Sequence, residues 1–140
     1  MSTRTNDWNL QIIEEFRANE GRVGGRFQGR PLLLLHHQGA RSGTWRVNPL
    51  AYQRLEGGNV AVFGSKGGAP RNPDWYHNLV ANPKARVEVG TEAYDVTARV
   101  ATGEERERIW ERQKRDIPTF ADYELKTKRE IPVVILERIG

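Results

Sequence analysis

Three short clusters hold side chains whose types and spacing could do chemistry. The first is Gly39-Ala40-Arg41-Ser42-Gly43, continued by Arg46 and Asn48. A glycine-flanked turn leaves backbone N–H groups free, Arg41 adds a forked cation and Ser42 a hydroxyl donor, which together form the inventory for holding a phosphate. Arg46 and Asn48 lie two apart on an expected strand and so project from one face, along the same ligand. The second cluster, Ser65-Lys66-Gly67-Gly68, ends another expected strand, and its glycines let backbone approach a flat ring or a phosphate closely. The third, Asn72-Pro73-Asp74-Trp75-Tyr76-His77-Asn78-Leu79, opens a helix whose first N–H groups can face an anion. There Trp75 and Leu79, at i and i+4, read as core, while Tyr76 and Asn78 are placed to meet a ligand. Taken singly, each cluster is equally well read as a plain solvated turn or hairpin loop.

Several chemistries are disfavoured by what the clusters lack. The G-x-x-x-x-G-K-[ST] and G-x-G-x-x-G spacings are absent, which argues against ATP and NAD bound by their usual loops. With no cysteine there is no thiolate nucleophile, thiolate metal site or disulfide. His36 and His37 are adjacent on a strand and face opposite ways, and only His77 remains, so no metal site is expected. No G-x-S-x-G elbow supports a hydrolase. The net charge of +4 and pI of about 9.7 favour an anionic partner. A nucleic-acid-binding barrel would interleave basic and aromatic residues on one strand face. Here the basic residues near the motifs sit in turns, and Arg106, Arg108, Arg112 and Arg115 alternate with Glu on a helix that reads as solvated.

The elements that must position these clusters follow from periodicity and turn chemistry. Asp7 is placed to cap a first helix to about Asn19, with Trp8, Ile12, Ile13 and Phe16 as its apolar stripe. That stripe suits packing on the chain's own barrel or a partner subunit better than a membrane surface, since Glu14 and Glu15 would be repelled by anionic lipid. A glycine-rich connector, Gly21 to Gly29, follows. Strands are expected at Leu32–His37, Thr44–Gln53, Val60–Ser65, Ala85–Val89, Ala93–Val100 and Ile131–Glu137, with hairpin turns at Gly57-Gly58-Asn59 and Gly90-Thr91. Asn72 is expected to cap the middle helix, which Asn82-Pro83 stops, and Thr102 with Glu105 to form a capping box for a helix to about Arg115. Pro118 to Thr127 reads as a short connecting segment. No βαβα alternation appears, so the expected class is mainly β with α: a small antiparallel barrel of about six strands with flanking helices. The 140 residues, 37% of them hydrophobic, suffice for one core. The expected division is an N-terminal helix and connector over 1–29 and the barrel over 30–140. No apolar run approaches a membrane span, and a cytoplasmic protein is expected.

In order and spacing, G-A-R-S-G-x-x-R-V-N-P-L at Gly39–Leu50, S-K-G-G at Ser65–Gly68 and N-P-D-W-Y-H-N-L-x-A-N-P at Asn72–Pro83 resemble the deazaflavin-dependent nitroreductase family of actinobacteria, within the split β-barrel flavin-binding superfamily. The tail from Arg129 to Glu137 is similar to that family's closing strand. The resemblance implies a split barrel holding coenzyme F420 in a groove. It would put the phosphate end on Ala40, Arg41, Ser42 and Arg46, and run Val47, Asn48, Pro49 and Leu50 beside the deazaflavin. Phe63, Gly64, Ser65, Lys66 and Gly67 would meet the ring system, and Asp74, Trp75, Tyr76, His77 and Asn78 would cover its other side. It further implies hydride transfer to a small organic acceptor, a quinone, enone or nitro compound, with Ser65, Tyr76 and Tyr123 as candidate proton donors or orienters and Phe120 and Tyr123 near the substrate.

Two departures bear on that reading. Ala40 stands where the family usually carries a basic residue, which removes one charge from the phosphate end while Arg41, Arg46 and Lys66 remain. Phe120 stands where relatives that reduce nitroimidazoles carry a tyrosine, implying a less polar acceptor pocket. The alternatives are a non-catalytic F420-binding protein, which would bind without turnover, and an FMN-dependent split-barrel oxidoreductase. A monomer or a homodimer is expected.

Overall fold

Six strands form a closed antiparallel barrel. The computed structural model describes residues 7–23 and 31–139, the side chains of Asp7 and Trp8 excepted, so the expected Asp7 cap, Trp8 in the stripe and most of the glycine-rich connector lie outside the described residues. Strands β1 (Leu32–Gln38), β2 (Trp45–Arg54), β3 (Val60–Phe63), β4 (Lys84–Val89), β5 (Glu92–Val100) and β6 (Val133–Arg138) close in the order β1-β2-β3-β6-β5-β4. Along β4 and β5 buried and exposed residues largely alternate, while β1, β3 and β6 carry apolar runs buried on both faces. The pleat sends Leu33, Leu35, Tyr52, Val60, Val62, Val87, Val96, Val134 and Leu136 inward to one core. The intervening residues of β3 and β6, Ala61, Phe63, Val133 and Ile135, form a second core outside the barrel, while Leu34 of β1 belongs to a third.

Four helices cover what the pleat leaves apolar. Helix α1 (Asp7–Ala18) lays Ile13 and Phe16 over Leu34 and Val47. Its stripe is therefore used on the barrel itself, Phe16 being 1% exposed. Among the described residues no helix is long and apolar enough to cross a membrane. Helix α2 (Asp74–Ala81) inserts Trp75 and Leu79 into the interior core, so it plugs the mouth formed by the C-terminal ends of β1, β3 and β5. Helices α3 (Gly103–Asp116) and α4 (Thr119–Lys126) cover the outer face of β3 and β6 through Ile109, Trp110 and Phe120.

Four local expectations are corrected. Pro73, not Asn72, takes the cap position of α2, and the Asn72 carboxamide oxygen instead accepts from Arg129 Nη1 at 2.6 Å. Thr102 makes no side-chain cap bond, and Glu105 is drawn to Arg99, whose guanidinium donates to both carboxylate oxygens at 2.7 and 2.9 Å; a bidentate charge-assisted pair outcompetes a single backbone N–H. The segment after Pro118 is helix α4, ordered because Phe120 packs edge-on against Phe63 and Trp110. Arg106 is not solvated: it is 7% exposed and donates through Nη2 to the Ile131 carbonyl at 2.6 Å.

Candidate active site

Strand β2 is paired along one side only for most of its length. From Trp45 to Ala51 it pairs with β1, whereas β3 reaches only Tyr52, Gln53 and Arg54. Among the described residues no strand takes up the other edge of Trp45–Ala51, and that edge is the split in the barrel. A proline is tolerated in a strand where its missing N–H faces an unpaired edge, and Pro49 lies in this stretch. Val47 to Leu50 are all half-buried. Val47 turns outward to the α1 cluster and Leu50 inward to the main core, and the open edge of the backbone between them is the candidate groove.

One end of the groove is the β1–β2 turn. Gly39 N–H donates to the Thr44 carbonyl at 2.8 Å, Gly43 N–H to the Gly39 carbonyl at 3.0 Å, and Thr44 N–H to Ser42 Oγ at 3.1 Å. Ala40 N–H donates to Asn78 Oδ1 at 2.9 Å. These amides are therefore committed within the protein, and the turn is not the fully open donor cradle expected from its glycines. What it offers an anion is the Ser42 hydroxyl proton, the exposed Arg41 and Arg46 guanidinium groups and the N–H groups of Arg41 and Ser42. Behind it, His37 is 1% exposed, with Nε2 at 2.7 Å from Asn48 Oδ1 and Nδ1 at 3.0 Å from Asn78 Nδ2. Burial is the main reason the imidazole pKa lies below its ordinary value, with Arg46 and His36 pushing the same way; Asn48 and Asp74 oppose them.

One wall is the loop after β3. Lys66, Gly67 and Gly68 all have left-handed φ, +46°, +64° and +84°. Arg129 holds this shape: its guanidinium donates to the carbonyls of Gly64 (3.0 Å), Ser65 (2.9 Å) and Ala69 (3.0 Å) and to Asn72 Oδ1. Gly68 is in turn pressed against α4, where an added Cβ would lie 2.7 Å from Lys126 Cβ and 3.0 Å from the Tyr123 carbonyl oxygen. Gly67 has open space on its Cβ side, so backbone there is approachable by a planar ligand. Nothing in the sequence around Arg129 marked it for this role, because its acceptors lie 57 to 65 positions away.

The remaining candidates divide. Ala40, Arg41, Ser42, Arg46, Asn48 and Asn78 converge at the turn, directly or through His37. Gly64, Ser65, Lys66 and Gly67 form the loop wall, with Tyr123 alongside on α4. Tyr76 is half-buried and meets the exposed His77 ring edge-on at 5.4 Å, and Asp74 is exposed in the first turn of α2. Trp75, Phe63 and Phe120 are core residues, 5%, 6% and 5% exposed. Phe120 reaches the groove region only by its edge-on contact with Tyr123 at 5.3 Å. Among the described residues no group of His, Asp or Glu could hold a metal ion.

The donor set fits an anionic, planar coenzyme. Arg41, Arg46 and Lys66 form no ion pair with any described residue, a condition they share with other cations such as Arg54, Arg71 and Arg108, so it is their place beside the open strand edge that singles them out. Cations left without a partner at both ends of an open strand edge suit a ligand with a flat ring and a charged tail.

Known proteins match this arrangement. The family model described as F420H(2)-dependent quinone reductase matches residues 8–138. An F420H(2)-dependent quinone reductase of Mycobacterium tuberculosis is 39% identical over 127 residues, covering 88% of this chain and 85% of its own. The solved structure of an F420-H2-dependent reductase, FDR-A, is 44% identical with a TM-score of 0.70, over 77% of this chain and 95% of that one. A second solved structure, described as a domain-swapped dimer, is 39% identical with a TM-score of 0.72, over 94% and 98% of the two chains. Sequence and barrel thus agree, and the chain belongs to the F420H(2)-dependent quinone reductase family, whose cofactor is coenzyme F420 and whose members are oxidoreductases.

Proposed function

We propose that the open edge of β2 is the coenzyme groove and that the hydride leaves it for a quinone. Arg41, Ser42 and Arg46 hold the phosphate end, and Lys66 adds a fourth donor from the facing loop. The ring lies along Val47–Leu50, between the wall of Gly64–Gly67 and the helix residues Tyr76 and Asn78. When bound and reduced, the deazaflavin supplies a hydride, and the acceptor gains one proton besides. Tyr123, beside the loop, and Tyr76, at the helix, are the hydroxyls placed to deliver or orient that proton, and Ser65 is a third. Val47, Leu50 and the core beneath them keep water from the ring. The observation that carries this reading is the strand edge Trp45–Ala51, which no described strand pairs, flanked by Arg41 and Arg46, neither of which has an ion-pair partner among the described residues. Enones and nitro compounds fit the same groove as acceptors, quinones being favoured by the family's described activity.

The test is calorimetric titration of the full chain with F420 and, in parallel, FMN. Saturable binding of F420 and none of FMN is expected. Arg41→Ala should weaken F420 binding by tenfold or more, since a charge-assisted hydrogen bond contributes about 1.5–3 kcal/mol. Unchanged affinity in that variant would remove the phosphate role from the turn. Turnover of reduced coenzyme with a quinone separates the enzyme from a protein that only binds F420.

Use of the α1 stripe on the barrel supports a cytoplasmic enzyme without a membrane-facing surface on that helix. For assembly, the relative described as a domain-swapped dimer supports a homodimer, and light scattering distinguishes it from a monomer.

A further inference from the structure

We propose that His37 is a positioning residue whose neutral imidazole locks the anion-binding turn to helix α2, so that protonating it releases the turn and weakens coenzyme binding. The proposal rests on the assignment of that turn to the phosphate end of the coenzyme.

Residue alternation along β1 puts His37 on the inward face with Leu33 and Leu35, at the mouth that α2 plugs. It is directly opposite Arg46 in the β1–β2 register and one pair from Asn48 on the same face. Its two ring nitrogens then serve two carboxamides on different elements. The direction of each bond follows from one fixed point. Asn78 Oδ1 must accept the Ala40 N–H at 2.9 Å, so the amide turns its NH2 toward His37 Nδ1 at 3.0 Å. Nδ1 is therefore the bare acceptor, and the single ring proton sits on Nε2, which donates to Asn48 Oδ1 at 2.7 Å. One proton in one tautomer satisfies the whole chain, from β2 through β1 and α2 to the turn.

An imidazolium breaks it. A proton on Nδ1 would face the Asn78 NH2, donor against donor, and rotating the carboxamide to restore that bond would set its NH2 against the Ala40 N–H. No rotamer keeps both links. The charged groups facing the ring are Arg46 from β2 and His36 from β1, which disfavour its protonation, and Asp74 from α2, which favours it; burial adds to the first effect. The consequence for function runs through Ala40: its N–H at 2.9 Å is the shorter tie of the turn to α2, beside the long Asn82 Nδ2 bonds to the Gln38 and Gly39 carbonyls (3.5 and 3.4 Å), and it leaves the next two residues, Arg41 and Ser42, presented to the ligand. A histidine serving the core alone would affect stability but not this presentation.

The experiment is calorimetric titration of the full chain with F420 from pH 5 to 8, for wild type, His37→Gln, His37→Leu and Arg41→Ala. A glutamine offers one acceptor to Asn78 and a donor to Asn48 and does not titrate, and it retains any pH dependence belonging to the coenzyme or other groups. Wild-type affinity is expected to hold steady above about pH 6.5 and then to fall by up to about tenfold per pH unit once below the folded-state pKa of His37. His37→Gln should match wild type at pH 7.5 and lose that extra decline, and His37→Leu should bind about tenfold more weakly than wild type at pH 7.5, the equivalent of one lost hydrogen bond to a positioned group, and should also lack the extra decline. A His37→Gln profile that repeats the wild-type decline overturns the proposal, as does a folded His37→Leu with wild-type affinity. If Arg41→Ala leaves affinity untouched, the turn is not the phosphate site and both readings fall. If Arg41→Ala loses affinity and the His37 variants do not, only the positioning role is lost.

Discussion

Arg129 donates to four oxygens, none of them a carboxylate, and burial alone pushes its pKa below the ordinary guanidinium value. A planar fork can reach acceptors spread from Gly64 to Asn72, whereas the point charge of a lysine cannot. Arg129→Lys should therefore strand two or more loop carbonyls, each worth about 1–3 kcal/mol if left buried without a donor. Expected is a lowered Tm and a larger loss in kcat/KM than in overall stability, measured by thermal denaturation beside steady-state turnover. The neighbouring glycines give a paired prediction. Both have left-handed φ, but Gly67 has open space where a Cβ would go and Gly68 has α4 at 2.7 Å. Gly67→Ala should cost about 1 kcal/mol, the left-handed penalty alone, while Gly68→Ala should cost more and separate the loop from Tyr123. Legibility at this scale depended on distance along the chain. Adjacency on the strand Leu32–His37 sets His37 facing opposite to His36, but neither its burial nor its carboxamide partners were legible in the sequence. Arg129 carried no signal, since the loop it holds is folded far from it in sequence.

Helix α1 shows how little holds an element that the barrel does not need for closure. Among the described side chains, its apolar contacts include Ile13 and Phe16 with Leu34, Val23 and Val47, and Ile12 is buried as well. Beyond these, Arg17 donates to both oxygens of Glu88 at 3.1 and 2.7 Å, and His36 Nε2 lies 2.6 Å from the same carboxylate. The Arg17 hydrogen bond is the chief reason the Glu88 pKa lies below the ordinary carboxylate range, with His36 adding to it. A carboxylate whose folded pKa is depressed stabilises the fold above its ordinary value of about 4.5 and loses that contribution as pH falls through the folded value. Partial exposure limits the latch to about 1 kcal/mol. Glu88→Gln should make α1 exchange amide hydrogens faster at pH 7, and wild type should show the same loosening only below about pH 4.5. The elements themselves were largely legible, since alternation marks β4 and β5, unbroken apolar runs mark β1 and β6, and glycine turns bound the hairpins. Helix α4 was missed because a proline and only two aromatics, Phe120 and Tyr123, give it too short an apolar pattern. The Thr102–Glu105 box failed because nothing local announced Arg99 as a competitor for Glu105.

At the scale of the whole molecule, the hairpins β1–β2, β2–β3 and β4–β5 could be read from turn residues, but barrel closure could not. Closure depends on β1 against β4, β3 against β6 and β5 against β6, where Leu34 meets Glu88, Val62 meets Val134 and Ala98 meets Leu136. Period-two patterning says which face of a strand is buried and is silent on which strand lies beside it. The distribution of charge was equally hidden in the sum. A net +4 gives no hint that Arg106, Arg112 and Arg115 of α3 are paired with carboxylates while Arg41, Arg46 and Lys66 are not, among the described residues. That difference makes a prediction for ionic strength. Exposed charges beyond a Debye length, about 10 Å at 0.1 M salt and 3 Å at 1 M, are largely screened, so a ligand held by Arg41, Arg46 and Lys66 should bind more weakly as salt rises. Raising NaCl from 0.05 to 0.5 M should weaken F420 binding several-fold, followed by calorimetry. Removing one of the three cations should flatten that dependence, so Arg46→Gln should show both a higher Kd at low salt and a shallower slope. Tm should move little over the same range, because each exposed ion pair on α3 and the strands contributes at most about 1 kcal/mol and opposing charges there are already matched. A coenzyme affinity indifferent to salt, or a slope unchanged by Arg46→Gln, would show that the charged end of the ligand lies elsewhere on the barrel.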